Sequence, residues 1–478
     1  MPHFNTNLQP GLGSGGVRNN PAGSGYSGAP TVAGQGVWMT KVGFMSLGCP
    51  KNLVDSEVML GHLRLKGFTL TPDPAQAEVL VVNTCGFIES AKKESIEAIL
   101  QAAAYKQDGV CRRLVVAGCM VERYREQLLA DMPEIDVCLG TRDIEHIAEV
   151  VGAADRLFEP ERDPGYLYDE HSPRLLTTPK ASAYLKISEG CDHSCAFCVI
   201  PAIRGPQRSR TIASVVAEAE QLVAQGVLEL NLVGQDTTDF GRDLGDPDAL
   251  EHLVRALGQV QGLRWFRIHY AYPNRLTDGL LHAMAETANC AKYLDMPLQH
   301  ADARVLKAMA RGGGRATFRT LLAKVRRIVP DIFIRSNFIV GFPGEDEAAF
   351  AELCAFVEEA RFEHVGVFTY SPEEGTGAFA LGDPVPARTK NSRKRRIMEL
   401  QQKLCRARNQ GLEGRILEVL VEGTHEETEL VYKGRHWGQA PEVDGQVLIV
   451  GGAVAPHTIQ RVRITKGHAY DLVGEVVD

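Results

Sequence analysis

Three cysteines within one short loop constrain this chain more than any other feature of its sequence. Cys191, Cys195 and Cys198 follow the pattern C-x-x-x-C-x-x-C. Three thiolates on one tight loop can hold three corners of a cubane iron–sulfur cluster, because each iron takes one soft sulfur ligand. No fourth cysteine stands at a matching spacing, so one iron would stay open to another ligand. An iron with an open position in a reducible cluster favours a catalytic role over electron storage alone.

Two other interpretations of this loop stay open. A zinc site would combine cysteine with histidine, and His193 lies inside the loop. Zinc knuckles, however, usually pair one C-x-x-C with a distant second pair, which this sequence lacks. A redox-active C-x-x-C would use Cys195 and Cys198 but would leave Cys191 without a role. The iron–sulfur cluster is therefore the favoured interpretation.

Composition bounds the remaining possibilities. A chain of 478 residues is expected to hold two to four domains. It has neither an apolar run long enough for a bilayer nor the pattern of a signal peptide, so we expect a cytoplasmic protein with no membrane partner. Its eleven cysteines are then expected to be reduced thiols and metal ligands. The net charge of -8 argues against a protein that grips nucleic acid over its whole surface.

The N-terminal part predicts an open parallel α/β domain over residues 41–151. Residues 1–38 are rich in Gly, Asn, Pro and Ser and predict a disordered tail. Met39 directly precedes the first predicted strand and is the alternative to Met1 as the start. Beyond the tail, buried apolar runs alternate with amphipathic helices, which indicates a parallel sheet. The predicted strands are Val42–Gly48, Val79–Thr84 and Leu114–Gly118.

Each of these three strands ends at a cysteine: Cys49, Cys85 or Cys119. The carboxyl ends of parallel strands meet at one edge of the sheet, where ligands bind in open α/β folds. One such cysteine would mean little, because cysteine is often a small buried hydrophobe. Three at equivalent positions favour a second three-ligand cluster. Cys138 is the rival ligand, but it lies within an apolar run and is predicted to be core.

Two further domains are predicted downstream. After a linker at residues 152–176, repeated βα units over 177–408 predict a partial (β/α) barrel. The loop with Cys191, Cys195 and Cys198 follows its first strand and would lie at the carboxyl face, where barrel active sites occur. Short alternating runs separated by glycines then predict a small β-barrel over 410–476.

The C-x-x-x-C-x-x-C loop, with the aromatic Phe197 before its third cysteine, resembles the signature of the radical S-adenosylmethionine (SAM) superfamily. The resemblance implies a 4Fe–4S cluster whose open iron chelates the amino and carboxylate groups of SAM. The segment Ile339–Glu345, with Gly341 and Gly344, resembles the glycine motif near the adenine of SAM. Gln235 and Asp236 stand where relatives contact the amino acid portion of SAM. Phe197, Gln235, Gly341 and Gly344 are therefore the expected cofactor-binding residues.

From about Lys41 onwards, the two cysteine triplets, the partial barrel and the terminal small barrel together resemble the methylthiotransferases, and the last domain resembles a TRAM domain. The stretch Ser46–Glu57 resembles the RimO type, which acts on a ribosomal protein. Relatives that modify adenosine in tRNA usually have Gln-Met in place of Pro50-Lys51. The segments Gly234–Thr238 and Met296–His300 also look RimO-like. The glycine run Gly312–Gly314 departs from the Arg-Pro sequence expected there, which leaves the role of that loop open.

The resemblance implies methylthiolation of the β-carbon of an aspartate in the small-subunit ribosomal protein numbered twelve. It also implies two 4Fe–4S clusters, one SAM as methyl donor, a second SAM as radical source, and a flavodoxin- or ferredoxin-type reductant. No catalytic residue is assigned beyond the cluster ligands. A tRNA methylthiotransferase is the alternative, and an iron–sulfur RNA-binding or assembly factor without turnover is a third possibility. The last domain has six basic and eleven acidic residues from Glu413 to Asp478, which makes tRNA the less favoured substrate.

Overall fold

The computed structural model describes residues 40–153 and 166–477. The predicted tail at 1–38 lies outside the described residues, as does 154–165 of the predicted linker. The boundaries 41–151, 152–176, 177–408 and 410–476 stay predictions. Across the two described ranges, no helix is both long enough and apolar enough to cross a membrane.

The N-terminal domain is the predicted open parallel α/β domain. Its five-stranded sheet has the order β2-β1-β3-β4-β5, and every neighbouring pair is parallel. One hydrophobic core lies on each face, so the central strands are buried on both sides. The elements are β1 (Lys41–Ser46), α1 (Pro50–Leu65), β2 (Thr69–Thr71), β3 (Val79–Thr84), α2 (Glu89–Asp108), β4 (Arg113–Gly118), α3 (Cys119–Asp131), β5 (Val137–Leu139) and α4 (Ile147–Gly152).

The central domain is the predicted partial barrel, a six-stranded parallel sheet in the order β6-β9-β10-β11-β12-β13. Successive βα units add one strand at a time in the same direction, which curls the sheet around its inner face. The elements are β6 (Ser182–Lys186), β7 (Ser188–Glu189), α5 (Ile200–Arg204), β8 (Arg208–Ser209), α6 (Ile212–Ala224), β9 (Glu229–Val233), α7 (Ala249–Leu257), β10 (Trp265–Ile268), α8 (Asp278–Glu286), β11 (Cys290–Asp295), α9 (Ala303–Ala308), α10 (Arg315–Ile328), β12 (Phe333–Val340), α11 (Glu347–Ala360), β13 (His364–Thr369) and α12 (Ala387–Gln410).

The C-terminal domain is the predicted small β-barrel, closed in the order β14-β15-β16-β18-β17. Its strands are β14 (Ile416–His425), β15 (Thr428–His436), β16 (Val447–Ile449), β17 (Ile459–Gly467) and β18 (Leu472–Val476). Inward-facing Val, Ile and Leu side chains fill its interior.

This small barrel covers the amino-terminal end of the central sheet. Trp265 and Phe333, at the starts of β10 and β12, share a hydrophobic core with Leu420 of the small barrel. Beside it, Arg435 Nη2 lies 2.5 Å from Glu229 Oε2 at the start of β9. The amino end is therefore closed, and the carboxyl end of the sheet is left to carry the site.

The described part of the predicted linker packs between the first two domains. Arg174 Nη2 lies 2.6 Å from Glu57 Oε2 of α1, and Arg174 Nη1 lies 2.7 Å from Glu218 Oε1 of α6. The three side chains are nearly inaccessible to solvent. This buried bridge fixes the N-terminal domain against the central sheet.

Candidate cluster and cofactor site

Cys49, Cys85 and Cys119 lie at the carboxyl edge of three adjacent parallel strands. Cys49 follows β1 and precedes α1, Cys85 follows β3, and Cys119 is the first residue of α3 directly after β4. Gly48 has a φ of 92°, and a Cβ on it would lie 2.8 Å from Cys85 Cβ. A glycine is therefore needed here, because it both adopts this backbone angle and lets Cys85 approach.

The environment of these thiols fits a cluster. Burial raises the pKa of Cys119 to about 12 and also raises the pKa of Cys85. Cysteines bind metal as thiolates, so this buried group needs positive charge beside it. Arg204 supplies that charge, since its Nη2 donates a hydrogen bond of 3.1 Å to Cys119 Sγ. All three cysteines are free thiols.

Cys191, Cys195 and Cys198 share one loop between β7 and α5 that other segments hold in place. Cys191 N donates to Gly205 O at 3.1 Å, and Ala196 N donates to Met309 O at 2.9 Å. Burial raises the pKa of Cys191 to about 12 and that of Cys198 to about 11. These three are also free thiols, more exposed than Cys119. Their chemistry and spacing fit three ligands of one cluster.

Arg311 is the cation beside this second triplet. Its Nη1 lies 3.5 Å from Cys195 Sγ, and its Nη2 donates to Pro297 O at 2.8 Å. The guanidinium also stacks 4.3 Å from the centre of the Tyr272 ring. Arg311 precedes the glycine run Gly312–Gly314, the loop whose role the sequence left open. Sequence reasoning missed this residue, although the unusual run beside it was a usable signal.

His193 does not point to a zinc site with these cysteines. Its Nε2 lies 2.6 Å from Asp236 Oδ2, and its ring stacks on Tyr272 with 3.9 Å between centroids. His193, Asp236 and Asp239 do bring ligand atoms within 4.8 Å of one another. Asp239 Oδ1, however, already pairs with Arg242 and Arg275. These contacts anchor the cysteine loop to the segment after β9.

A buried charge network joins the two triplets. Arg204 Nη1 lies 2.6 Å from Asp55 Oδ2 of the N-terminal domain and 3.2 Å from Glu189 Oε2 of the central domain. Lys186 pairs with the same two carboxylates, at 2.7 Å in the case of Glu189 Oε2. Burial opposes ionisation of Glu189, but the Arg204 and Lys186 cations hold its pKa at about 2. None of these four residues was predicted, because isolated charges show no spacing pattern.

Gln235 lies in the same region, at the carboxyl end of β9. Its Nε2 donates to Glu189 Oε1 at 2.7 Å. Its Oε1 is buried and accepts no hydrogen bond from any described residue. A buried amide oxygen without a partner fits a ligand that brings its own donor, as the ammonium of SAM does. The placement is compatible with the predicted SAM contact.

Phe197, Gly341 and Gly344 also come together. Phe197 packs against a small core that includes Phe342, which lies between the two glycines. Gly341 has a φ of 76°, and a Cβ on it would lie 2.4 Å from Lys390 Cγ. Gly344 has a φ of 93° and nothing within 4 Å of the Cβ position, so a ligand can approach its backbone. The glycine turn thus lies against the cysteine loop.

The other cysteines stay away from both triplets. Cys138, the rival ligand, packs in the N-terminal core with Cys111. Cys290 belongs to the core of the central domain, and Cys354 packs against it. Cys405 is buried on α12, where it accepts a hydrogen bond from Gln401 Nε2 at 3.1 Å.

Three family models match the chain in the order of its domains. Residues 41–140 match the uncharacterized protein family UPF0004, residues 185–357 match the radical SAM superfamily, and residues 414–477 match the TRAM domain. Radical SAM proteins use a 4Fe–4S cluster and SAM. This chain therefore binds both.

Curated relatives match nearly the whole chain. The ribosomal protein uS12 methylthiotransferase RimO of Solibacter usitatus (strain Ellin6076) is 51% identical over 91% of this chain and 95% of its own. The protein of the same name from Anaeromyxobacter sp. (strain K) is 52% identical over 92% of this chain and 93% of its own.

A solved structure matches in fold alone. The apo form of the cobalamin-dependent S-adenosylmethionine radical enzyme OxsB superimposes with a TM-score of 0.50 at 13% identity, covering 72% of this chain and 55% of that one. The family assignment rests on the curated relatives and on the radical SAM model. The chain belongs to the RimO methylthiotransferases, a family of enzymes that transfer methylthio groups.

Proposed function

We propose that this chain methylthiolates the β-carbon of an aspartate in ribosomal protein uS12, using one SAM as methyl donor and a second as radical source. The names of the curated relatives support the substrate. The proposal includes two 4Fe–4S clusters, one held by Cys49, Cys85 and Cys119 and the other by Cys191, Cys195 and Cys198. A flavodoxin- or ferredoxin-type protein is the proposed reductant, and the cytoplasm is the proposed compartment.

The observation that carries this proposal is the connection that Arg204 makes between the first triplet and the strand that leads into the second. Arg204 touches Cys119 of the first triplet and pairs with Glu189, two residues before Cys191 of the second. When bound, the clusters and SAM supply the radical that removes hydrogen from an unactivated carbon, and the sulfur and methyl group that replace it. The six cysteines hold these groups at one place, so that one substrate carbon can meet both.

The residues around the triplets have separate proposed tasks. Glu189 and Gln235 orient the amino acid portion of SAM, with Gln235 Oε1 as the acceptor. Phe197 and the Gly341–Gly344 turn hold its adenosine side. The small barrel covers the amino-terminal end of the central sheet, opposite the cysteine triplets. It also carries the acidic surface expected to favour a basic ribosomal protein over tRNA.

The test is a reaction with both candidate substrates. Reconstituted enzyme, SAM and a reductant are incubated with recombinant uS12 or with unmodified tRNA, and each is analysed by mass spectrometry. We expect a mass gain of one methylthio group on uS12, located to an aspartate by fragmentation. A gain on tRNA alone would replace this proposal with the adenosine-modifying function. SAM cleavage without a mass gain on either substrate would support the radical chemistry and reject both proposed substrates.

A further inference from the structure

Lys51 is a cation in the site that pairs with no carboxylate of the residues that the structure describes. It lies in the first turn of α1, two residues after Cys49. The neighbouring cations Lys186 and Arg204 are each paired with Asp55 and Glu189. Lys51, by contrast, has no ion pair with any residue in the ranges 40–153 and 166–477. A half-buried ammonium in that position is costly unless another anion reaches it.

Lys51 lies close to both cysteine triplets. It comes two residues after Cys49 of the first triplet. Its ring partner Tyr270 accepts a hydrogen bond from Thr237 N, next to Asp236, whose carboxylate pairs with His193 in the loop of the second triplet. A substrate carbon that exchanges hydrogen for sulfur must reach groups held by both triplets. Lys51 therefore faces the place where the reacting carbon has to lie.

Tyr270 fixes the direction of this side chain. Lys51 Nζ lies 3.5 Å from the centre of the Tyr270 ring, a cation–π contact. Tyr270 follows β10 in a left-handed backbone conformation with a φ of 59°, which is unusual for a residue with a side chain. Its backbone is held on both sides, since Tyr270 N donates to Asp295 Oδ2 at 3.3 Å and Tyr270 O accepts from Thr237 N at 3.2 Å. Strain of this kind persists where surrounding contacts over-determine it, as at ligand sites.

We infer that Lys51 binds the side-chain carboxylate of the substrate aspartate, with the Tyr270 ring holding the ammonium in place. This inference rests on the proposed function and names the group that selects its substrate. A carboxylate completes the missing ion pair, whereas a neutral nucleobase leaves the ammonium unpaired. The same contact places the carbon next to that carboxylate, the β-carbon of an aspartate, beside both triplets.

The experiment is a double-mutant cycle on binding, without turnover. Reconstituted enzyme with SAM and no reductant is titrated with fluorescently labelled uS12, or with the same protein carrying asparagine at the target aspartate. The enzymes are the wild type, Lys51→Met, Lys51→Arg and the control Lys93→Met, which removes an exposed lysine of the same domain. Iron content and the visible absorption spectrum are measured for each.

We expect the wild type and Lys93→Met to bind the aspartate form roughly ten- to a hundredfold more tightly than the asparagine form, as for a hydrogen bond to a charged group. Lys51→Met should bind both forms alike at unchanged iron content, and Lys51→Arg should keep part of the preference. Equal discrimination by Lys51→Met and wild type would overturn the inference. Loss of iron in Lys51→Met would also overturn it, since Lys51 would then serve the Cys49 ligand.

Failure of the proposed function has a different signature. Wild-type enzyme would then bind neither form of uS12, and no methylthio group would appear on uS12 after reductant is added. Methylthiolation of uS12 without a Lys51-dependent preference would retain the proposed function and reject only the role of Lys51.

Discussion

The two cysteine triplets are built in opposite ways. Cys191, Cys195 and Cys198 occupy a single loop, so one local segment fixes all three. Cys49, Cys85 and Cys119 come from three strand ends and depend on the register of the whole N-terminal sheet. Each triplet has one arginine at a sulfur: Arg311 at Cys195, 3.5 Å away, and Arg204 at Cys119, 3.1 Å away.

The triplets also differ in how they are connected to the rest of the molecule. Cys119 is buried, whereas the other five cysteines of the two triplets are partly exposed. Arg311 is anchored within the central domain by Pro297 O. Arg204 instead connects the domains, because it pairs with both Asp55 and Glu189. The backbone hydrogen bonds of the single loop and the anchor of Arg311 thus lie within the central domain, whereas the three strand ends form a site that the central domain completes.

Loss of the loop triplet is expected to have the largest effect. In a Cys191→Ala, Cys195→Ala, Cys198→Ala variant, SAM cleavage should fall to background, because the ligands proposed to hold the radical-generating cluster are gone. Formation of 5′-deoxyadenosine is measured by chromatography after reduction. Cleavage at the wild-type rate would show that the loop does not hold this cluster.

Loss of the strand-end triplet should separate the two activities. A Cys49→Ala, Cys85→Ala, Cys119→Ala variant should lose about half of the iron and all methylthio transfer while still cleaving SAM. Iron is measured per protein, and the matched control is Cys138→Ala, which removes a core cysteine of the same domain. Full iron content in the triple variant would mean that these cysteines are core residues like Cys138.

The same contrast explains what could be predicted from the sequence. The six proposed ligands could be singled out in the sequence because spacing marks the loop and strand ends mark Cys49, Cys85 and Cys119. The repeated βα pattern predicted both parallel sheets, although the mostly apolar run Ala183–Ser188, which has the pattern of a single strand, is broken at Ile187. After the break, Ser188–Glu189 pairs antiparallel with Arg208–Ser209. This short hairpin carries the cysteine loop, and two-residue strands leave no periodic signal.

The charges were not predictable in this way. The basic segment at 388–409 has the sequence pattern of a solvated helix face, but Lys390 and Arg393 are buried. Lys390 pairs with Asp383 in the loop before the helix, and Arg393 pairs with Glu345, which is far from it in sequence. Arg204, Arg311 and Lys51 are likewise defined by partners that only the tertiary structure brings near. The local sequence around a charged residue is the same whether its side chain faces water or a thiol.

Replacing each of the two arginines by methionine should show which cysteine triplet that arginine affects. In Arg204→Met, loss of a positive charge and of the hydrogen bond to Cys119 should lower the midpoint potential of the strand-end cluster. The expected shift is on the order of 50 mV, close to a tenfold change in a one-electron equilibrium. Arg311→Met should instead lower that of the loop cluster. Both midpoint potentials are measured by redox titrations that are monitored by electron paramagnetic resonance.

Arg204→Lys and Arg311→Lys are the controls for charge alone. Each should recover part of the shift, because the cation is kept and the planar hydrogen-bond geometry is lost. A shift of both clusters by the same amount in Arg204→Met would contradict the separation of the two sites. It would mean that the Arg204 charge changes the electrostatic potential at both clusters equally.

The smallest expected effect tests whether Glu189 contributes to the connection between the domains. Its carboxylate has a folded-state pKa of about 2 beside Arg204 and Lys186, against about 4.3 in an unfolded chain. Its stabilisation is therefore present above the unfolded value and is lost as the pH falls towards 2. The full loss of folding free energy is roughly 2–3 kcal/mol.

Urea unfolding is measured from pH 5 to 3 on cluster-free protein, because acid releases iron from its ligands. Glu189→Gln should flatten the decline of the urea midpoint, whereas the exposed control Glu358→Gln should follow the wild type. Parallel declines in all three proteins would mean that Glu189 is not ionised in the folded network, and that Asp55 alone pairs with the two cations.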